Sequence, residues 1–304
     1  MKVTALAGGT GSAKLLRGLA KLDLDLTVVA NVGDNYWVYG LYVCPDVDIA
    51  TYALAGVLDR SRGWGIEGDT FRVLEQLASL GEDTWFRLGD RDMATSVLRT
   101  RLLREGRTLT EATEAIGRSL GVRARVLPAC DKDVSTQVVT PAGRLHLQEF
   151  WVRDKGAPEV LGVEYRGKTR SALTDKAKRA VDEADVIVLC PANPVTSIGP
   201  ILSVRGMKEA LTGTKARVVA VSPMVGEGPF SGPAGKFMKA LGFEPDSLGV
   251  AKRYSSFLDA ILIAQVDAAM KVPIGRLGVK VGVGDTTIRH PRDEIRLASE
   301  VLKL

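Results

Sequence analysis

The amino-acid sequence predicts an α/β protein with a doubly wound, mainly parallel sheet that carries helical and β-hairpin insertions. Apolar runs recur at 2–7, 26–31, 185–191 and 216–223. Their continuous rather than alternating apolarity is typical of strands covered on both faces. Helical patterns alternate with these runs, which favours parallel strands joined by crossover helices. Polar or glycine-bearing turns follow the runs, as expected where such a sheet binds ligands.

The first strand, KVTALA, leads through the turn GGTG into a helix that starts SAKLLRGLA at residue 12. Glycines let a ligand lie against the backbone, and the first turn of a helix offers unpaired N–H groups and a positive dipole end. A phosphate site is therefore predicted, formed by Gly8, Gly9, Thr10, Gly11, Ser12 and Lys14. A tight turn without a ligand is the alternative. The spacing matches neither a P-loop nor a dinucleotide fingerprint.

The later elements follow from periodicity and turn residues. Helical patterns lie at about 47–58, 69–80, 90–104, 110–120, 171–184, 233–241 and 291–303. The stretch 135–153 reads as a hairpin with PAG at its turn, and 160–167 reads as another strand. We therefore expect one domain over residues 1–304, with residues 60–170 as the helical and β-hairpin insertion region.

Composition restricts the class of protein. The 304 residues are 45% hydrophobic and 25% charged, and the formal net charge is +5 with both signs interspersed. This balance suits small anionic ligands and does not require nucleic acid. Three widely spaced cysteines without a CxxC pair argue against a disulfide framework or structural zinc. No signal peptide and no apolar run of 18 residues is visible, so we expect a cytoplasmic protein without a membrane anchor.

Turns after the predicted strands should converge at one edge of the sheet, because parallel strands place their carboxyl ends together. The glycine turn, NVGD at 31–34, CPANPVTSI at 190–198 and SPMVG at 222–226 all follow apolar runs. This convergence carries more weight than any one turn.

The acids that favour a metal site lie between residues 31 and 56, and they are Asp34, Asp46 and Asp48. Mg²⁺ takes one or two carboxylates together with waters and substrate phosphates. Asp48 alone is also in place to cap the following helix. A phosphate turn beside clustered aspartates indicates phosphoryl transfer, in which the protein mainly positions groups and neutralises charge.

A second polar cluster is TWFRLGDRDMAT at 84–95. Asp90 and Asp92 are candidate helix N-caps, and Asp69 reads as a cap of its own loop. Arg87 is suited to holding a phosphate or a flat heterocycle.

An ordered series of segments carries a resemblance to a known family. The segments are AGGTGSAKLLRGL, NVGDN, GLYVCPDVD, GWGIEGDTF, FRLGDRDMAT, LQEFWV, CPANPVTSIGPIL and SPMVGEGPFSGPAGKFM. In this order they resemble the 2-phospho-L-lactate transferase family of coenzyme F-420 biosynthesis, often called CofD or FbiA. The likeness runs from residue 1 to about 240, with a similar C-terminal region.

The resemblance implies a Rossmann-like fold, a homodimer and a magnesium-dependent transfer. The donor would be a guanosine diphosphate-linked 2-phospholactyl or enolpyruvyl phosphate group. The acceptor would be Fo, a deazaflavin whose terminal ribityl hydroxyl attacks the donor phosphorus and releases GMP to give the F-420-0 precursor. No motif distinguishes the lactyl from the enolpyruvyl donor.

Carried onto this sequence, the resemblance implies that Asp48 and Arg87 bind Fo. It places three further residues near the guanosine side: Asn193, Ser197 and Ser222. Asp34 and Asp46 are the expected Mg²⁺ ligands, and the catalytic set is Asp34, Asp46 and Asp48.

Two features of the second turn bear on this assignment. Relatives often have NxGDD, whereas Asn35 replaces the second aspartate here, which leaves Asp34 and its neighbours to hold the ion. The alternative function is a non-catalytic nucleotide-sugar-binding regulator of the related bacterial morphogenesis family. The DDGGSSGRLR-like segment typical of that family is missing here, which favours the enzyme.

Overall fold

A parallel sheet of seven strands runs through the part of the protein that the structure describes. The structure is a computed structural model, and it describes residues 1–226, 228–229 and 233–304. The strands are β1 (Lys2–Ala7), β2 (Asp25–Ala30), β3 (Tyr36–Val38), β4 (Leu41–Val43), β5 (Arg125–Pro128), β6 (Ser135–Thr140), β7 (Gly143–His146), β8 (Gly162–Arg166), β9 (Val186–Leu189), β10 (Arg217–Val221), β11 (Met224–Val225), β12 (Gly228–Pro229), β13 (Ala260–Ala264) and β14 (Lys280–Gly284).

Helices cover this sheet and fill its connections. They are α1 (Gly9–Leu19), α2 (Pro45–Ala55), α3 (Arg72–Ser79), α4 (Asp90–Arg104), α5 (Leu109–Ser119), α6 (Asp175–Asp182), α7 (Ile198–Ser203), α8 (Met207–Gly213), α9 (Ala234–Ala240), α10 (Ser247–Tyr254), α11 (Lys271–Gly275) and α12 (Pro291–Lys303). The seven helical patterns read from the sequence are confirmed to within a few residues at each end. Among the described residues, no helix combines the length and apolarity needed to cross a bilayer.

The order of the central strands is β14-β13-β10-β9-β1-β2-β5, and every pairing is parallel. The chain therefore winds outward from β1 in one direction and returns to wind outward from β9 in the other. The predicted doubly wound fold is confirmed. In such a sheet, ligands bind outside the carboxyl ends of the strands where the winding reverses, which here lies between β1 and β9.

The apolar runs form these strands because both faces of the sheet are covered. β9 and β13 are buried along their whole length, and β1 is buried after its first residue. Ladder hydrogen bonds satisfy the backbone, and apolar side chains fill both faces. Because the buried strands run in parallel, the turns that follow them lie at the same edge of the sheet.

The middle of the chain forms a second, antiparallel sheet in the order β7-β6-β8. The predicted hairpin over 135–153 is too long, because its second strand ends at His146 and residues Glu149–Arg153 form a π-helical turn. The predicted strand at 160–167 is confirmed as β8. The extent of the single domain stays a prediction.

The last helix, α12, packs against α1. A Cβ placed on Gly18 of α1 would lie 2.0 Å from the carbonyl oxygen of Glu294, so the two backbones approach too closely for any larger residue. Arg17 and Glu294 form a buried ion pair across this contact, with Nε and Nη2 of the arginine 2.9 and 2.5 Å from Oε1. The helix that leaves the glycine turn is thus held from both sides, by the sheet and by α12.

Candidate active site

Three strand ends meet at Gly8, directly after β1. A Cβ placed on Gly8 would lie 2.9 Å from the Cβ of Asn31, which follows β2, and 2.9 Å from the Cβ of Ser197, which follows β9. The same position is 2.8 Å from Oδ2 of Asp46 in α2. The turns predicted to converge after β1, β2 and β9 therefore do so, at the point where the winding of the sheet reverses.

The glycine turn forms the first turn of α1, because the helix begins at Gly9 and not at residue 12 as predicted. Gly9 has φ of +65°, a conformation that favours glycine, and a Cβ on Gly11 would lie 2.3 Å from the carbonyl oxygen of Pro191. The Ser12 hydroxyl donates to the Gly8 carbonyl at 2.7 Å and accepts from the Gly8 N–H at 3.1 Å. Ser12 thus closes the turn.

The flanking residues of this turn contact two other loops. The side chain of Thr10 lies 3.4 Å from the position of a Cβ on Gly63. Lys14 donates through Nζ to the carbonyl oxygen of Ile288 at 3.1 Å. The glycine turn is thus bordered by the 57–66 loop on one side and by the segment before α12 on the other.

Asn31 links the two aspartates of the site, and sequence reasoning did not select it. Its Nδ2 donates to Asp34 Oδ1 at 3.0 Å and to Asp46 Oδ2 at 2.7 Å. It also lies 3.2 Å from the carbonyl oxygen of Thr196. The two amide hydrogens of Asn31 face three acceptors. The orientation of this side chain therefore depends on both carboxylates and on the carbonyl of the β9 turn. The signal that could have identified Asn31 in the sequence is an amide side chain directly after a buried strand.

Burial raises the pKa values of the Asp34 and Asp46 carboxyls. It raises the pKa of Asp34 well above its ordinary value, and the nearby charge of Asp46 raises it further, while the Asn31 hydrogen bond opposes both. Burial also raises the pKa of Asp46 to about 6, against hydrogen bonds from Asn31 and from the Gly9 N–H. A proton or a cation would relieve this pair.

The pair fits a magnesium ion. In the ranges that the structure describes, no three His, Cys, Asp or Glu side chains surround one metal position. Mg²⁺ does not require such a cage, since one or two carboxylates suffice when waters and substrate phosphates complete its shell. Asn35 is not a carboxylate, and its Nδ2 donates to the Tyr42 hydroxyl oxygen at 3.3 Å. Asp34 and Asp46 are therefore the residues suited to hold the ion.

Asp48 lies apart from that pair. Residues two positions apart on a helix point about 200° from each other, and Asp48 faces α4, where it forms a buried ion pair with Arg99. Arg99 is fully buried and also lies 3.3 Å, through Nη1, from the carbonyl oxygen of Tyr42. Two atoms of this pair, Asp48 Oδ2 and Arg99 Nε, have no hydrogen-bond partner.

A second carboxyl lies close to the ion pair of Asp48 and Arg99. Asp92 accepts a hydrogen bond from the Tyr52 hydroxyl at 2.8 Å. Burial, with a further contribution from the charge of Asp48, raises the pKa of Asp92 to about 7. Neither Arg99 nor this role of Asp92 was predicted, because an arginine in an Arg-rich helix and an acid at a helix start both have ordinary explanations.

Arg87 is exposed and stacks on an aromatic ring. Its guanidinium carbon lies 4.3 Å from the ring centre of Phe71, and that of Arg62 lies 5.3 Å from the same ring. Arg62 also lies 5.1 Å from the ring centre of Trp64. Stacked guanidinium and aromatic groups present a flat, cationic surface.

The turn after β9 is closed by Asn193. Its Oδ1 accepts from the N–H groups of Val195 and Thr196 at 2.9 and 3.2 Å, and its carbonyl accepts from those of Ser197 and Ile198 at 3.0 Å. Asn193 thus shapes the turn from inside. The Ser197 hydroxyl oxygen lies 3.0 Å from the position of a Cβ on Gly9, at the carboxyl edge of the sheet.

Ser222 lies in a separate network after β10. Its hydroxyl oxygen is 2.9 Å from that of Ser247, which donates to Asp267 at 3.2 Å. Asp267 also accepts from the N–H of Gly226 at 3.0 Å. Of the sequence block that begins here, residues 227 and 230–232 lie outside the described residues.

The chain is similar over most of its length to proteins of a known family. The sequence model of the family described as 2-phospho-L-lactate transferase CofD matches residues 3–274. A 2-phospho-L-lactate transferase of Methanosarcina acetivorans is 43% identical over 301 residues, covering 98% of this chain and 97% of its own. That of Methanopyrus kandleri is 42% identical over 308 residues, covering 100% and 97%.

One solved structure supports the fold. A UPF0052-family protein of Bacillus halodurans aligns with a TM-score of 0.66 and 19% sequence identity, covering 99% of this chain and 100% of its own. At this identity the likeness concerns the arrangement of strands and helices alone.

Proposed function

The chain belongs to the CofD family of 2-phospho-L-lactate transferases, and from this we propose a donor, an acceptor and a metal for its reaction. The donor is a guanosine diphosphate-linked 2-phospholactyl or enolpyruvyl phosphate group, and the acceptor is the deazaflavin Fo. The observation that carries the proposal is the meeting of Gly8, Asn31, Asp46 and Ser197 at the reversal point of the sheet. This is where an open α/β sheet receives a phosphate-bearing ligand.

In the proposed reaction, the oxygen of the terminal ribityl hydroxyl attacks the phosphorus that bears the lactyl group. The bond from this phosphorus to the bridging oxygen of the diphosphate breaks, and GMP leaves with the bonding electron pair. The hydroxyl proton passes to a carboxylate of the site, which releases it to solvent. Such transfers depend on alignment and charge neutralisation more than on covalent chemistry by the protein.

Each side chain at the edge has a part in this proposal. Asp34 and Asp46 would hold Mg²⁺, which when bound neutralises charge on the diphosphate. Asn31 fixes both carboxylates through its single amide. The glycine turn lets the diphosphate approach the backbone, and Lys14 adds positive charge beside it. Burial is the main cause of the raised pKa values of the two aspartates.

The acceptor side is proposed around Arg87 and Asp48. The exposed guanidinium on Phe71 offers a flat surface against which a deazaflavin ring can stack. Asp48 would contribute through its carboxylate, which Arg99 holds. We further propose a homodimer, which light scattering of the purified protein tests directly.

The experiment mixes the purified protein with Fo, Mg²⁺ and either the lactyl or the enolpyruvyl guanylylated donor. GMP and the phosphoester-linked deazaflavin are followed by mass spectrometry, with reactions lacking Fo or containing a chelator as controls. Fo-dependent release of GMP is expected, and the faster donor identifies the substrate. If neither donor reacts while a nucleotide sugar binds tightly, the regulator becomes the better interpretation.

A further inference from the structure

Three successive carbonyl groups of the 193–198 turn each accept a hydrogen bond from a different part of the chain. Arg253 of α10 donates through Nε to the carbonyl of Pro194 at 2.9 Å. The hydroxyl of Tyr165 in β8 donates to that of Val195 at 2.6 Å. The third carbonyl, of Thr196, accepts from Asn31. The turn is thus tied to α10, to the antiparallel sheet and to the end of β2.

Arg253 and Tyr165 also contact each other. Arg253 Nη2 lies 3.3 Å from the Tyr165 hydroxyl oxygen. A Cβ on Gly199 would lie 2.0 Å from that oxygen and 3.2 Å from Nη2, so only glycine leaves room for the pair. Burial raises the pKa of Tyr165, Arg253 opposes this rise, and the charge of Asp34 adds to it.

The internal shape of the turn does not need these donors. Asn193 already closes it with four hydrogen bonds, which it accepts from the N–H groups of residues 195–198. Tyr165 and Arg253 instead tie the closed turn to β8 and to α10. That placement matters because the turn sets Ser197 against the glycine turn and offers Asn31 its third acceptor.

We propose that Tyr165 and Arg253 are positioning residues of the transferase, which hold the 193–198 turn so that Asn31 aligns Asp34 and Asp46. This inference rests on the proposed function. In this proposal both residues act through the turn and through Asn31, and not on a reacting group. When the turn shifts, Asn31 redistributes its two amide hydrogens among three acceptors, and the carboxylates lose their alignment. Misplacement on the scale of 1 Å lowers rates by up to about 100-fold.

The test compares Tyr165→Phe, Arg253→Gln and the double variant with the wild type. The kcat, the KM for each substrate and the midpoint of thermal unfolding are measured. We expect kcat to fall about 10-fold or more in each single variant, with both KM values within about twofold. The double variant should lose little more than the worse single one, because both residues hold the same turn. Arg253→Lys, which keeps a donor for Pro194, should recover part of the loss.

The matched control is Arg217→Gln. Arg217 also donates from its guanidinium to a carbonyl, that of Leu302 at 2.6 Å, but at the amino end of β10. It should lower the unfolding midpoint to a similar extent and leave kcat unchanged. If Arg253→Gln does not yield folded protein, Tyr165→Phe, which removes a single oxygen, decides the question.

Three results would overturn the inference. An unchanged kcat in Tyr165→Phe, or a loss of kcat that only follows the drop in unfolding midpoint as in the control, would mean that the pair merely supports the fold. An inactive wild type would overturn the proposed function and this inference with it. An active wild type with unaffected variants would overturn the inference alone.

Discussion

Replacing Arg99 by methionine tests the buried ion pair beneath α2. Arg99 is fully buried and its partner Asp48 is 4% exposed, so removing the guanidinium leaves a carboxylate without a counter-charge in the interior. Breaking such a pair from one side costs about 3–5 kcal/mol. Because Arg99 also donates to the Tyr42 carbonyl, the upper half of that range is expected.

The loss of stability in Arg99→Met should also depend on pH, in a direction that follows from the pKa of Asp48. Burial raises the pKa of Asp48 above its ordinary value, and Arg99 offsets part of this rise. Without the arginine, the folded-state pKa of Asp48 rises further above its unfolded value. The folded variant then binds a proton that the unfolded chain has released, so its stability falls as pH rises. The deficit of Arg99→Met relative to the wild type should therefore be larger at pH 8 than at pH 5.

Urea unfolding at both pH values measures these free energies. The double variant Arg99→Met/Asp48→Leu should regain most of the loss, since an apolar replacement of a whole buried pair is often neutral. Arg144→Met, which removes the exposed partner of Glu164, should leave the free energy of unfolding unchanged. A deficit below about 1 kcal/mol for Arg99→Met, or one that shrinks with rising pH, would refute the reasoning.

Three further predictions follow from the same contacts. Gly8→Ala should lower kcat about 100-fold, because the new Cβ meets Asp46 Oδ2 at 2.8 Å, whereas Gly213→Ala, with no atom within 4 Å, should remain active in the same assay. The raised pKa values of Asp34 and Asp46 predict that metal-free protein loses stability as pH rises through about 6 and that added Mg²⁺ offsets the loss; a flat urea-unfolding profile would contradict this. Glu294→Gln should destabilise the protein by about 3 kcal/mol by leaving the arginine of α1 unpaired, and equal urea midpoints for variant and wild type would argue against this.

The central sheet was largely predictable because its signals are local. A strand covered on both faces is continuously apolar, as in β9 and β10, and the same rule applies to β13, whose run AILIA was not selected. β14 has the sequence KVGVG and is mostly half-buried, so it carries no comparable signal. Its position is fixed by pairing with β13, a contact between distant segments.

The site was only partly predictable because its geometry depends on contacts between elements. The position of Asp34 and Asp46 near the glycine turn follows from strand ends meeting at one edge. The partner of Asp48 lies 51 residues away and resembles a surface arginine in the sequence. The caps of two helices also depend on contacts between distant segments. Asp69 accepts from the first N–H groups of α4, whereas Asp90, which lies in α4, accepts from those of α3.

The packing of α12 on α1 has a consequence for protein synthesis. On the ribosome, α1 and its glycine turn emerge near the beginning of translation, whereas α12 emerges only after the central strands have been made. During that interval α12 does not cover the face of α1 that carries Arg17 and Gly18, the two residues that contact Glu294 in the folded protein. Domains generally fold as units once their parts are available. The site should therefore become competent only when α12 docks, so ribosome-bound chains that stop before α12 should remain inactive and exposed to chaperones.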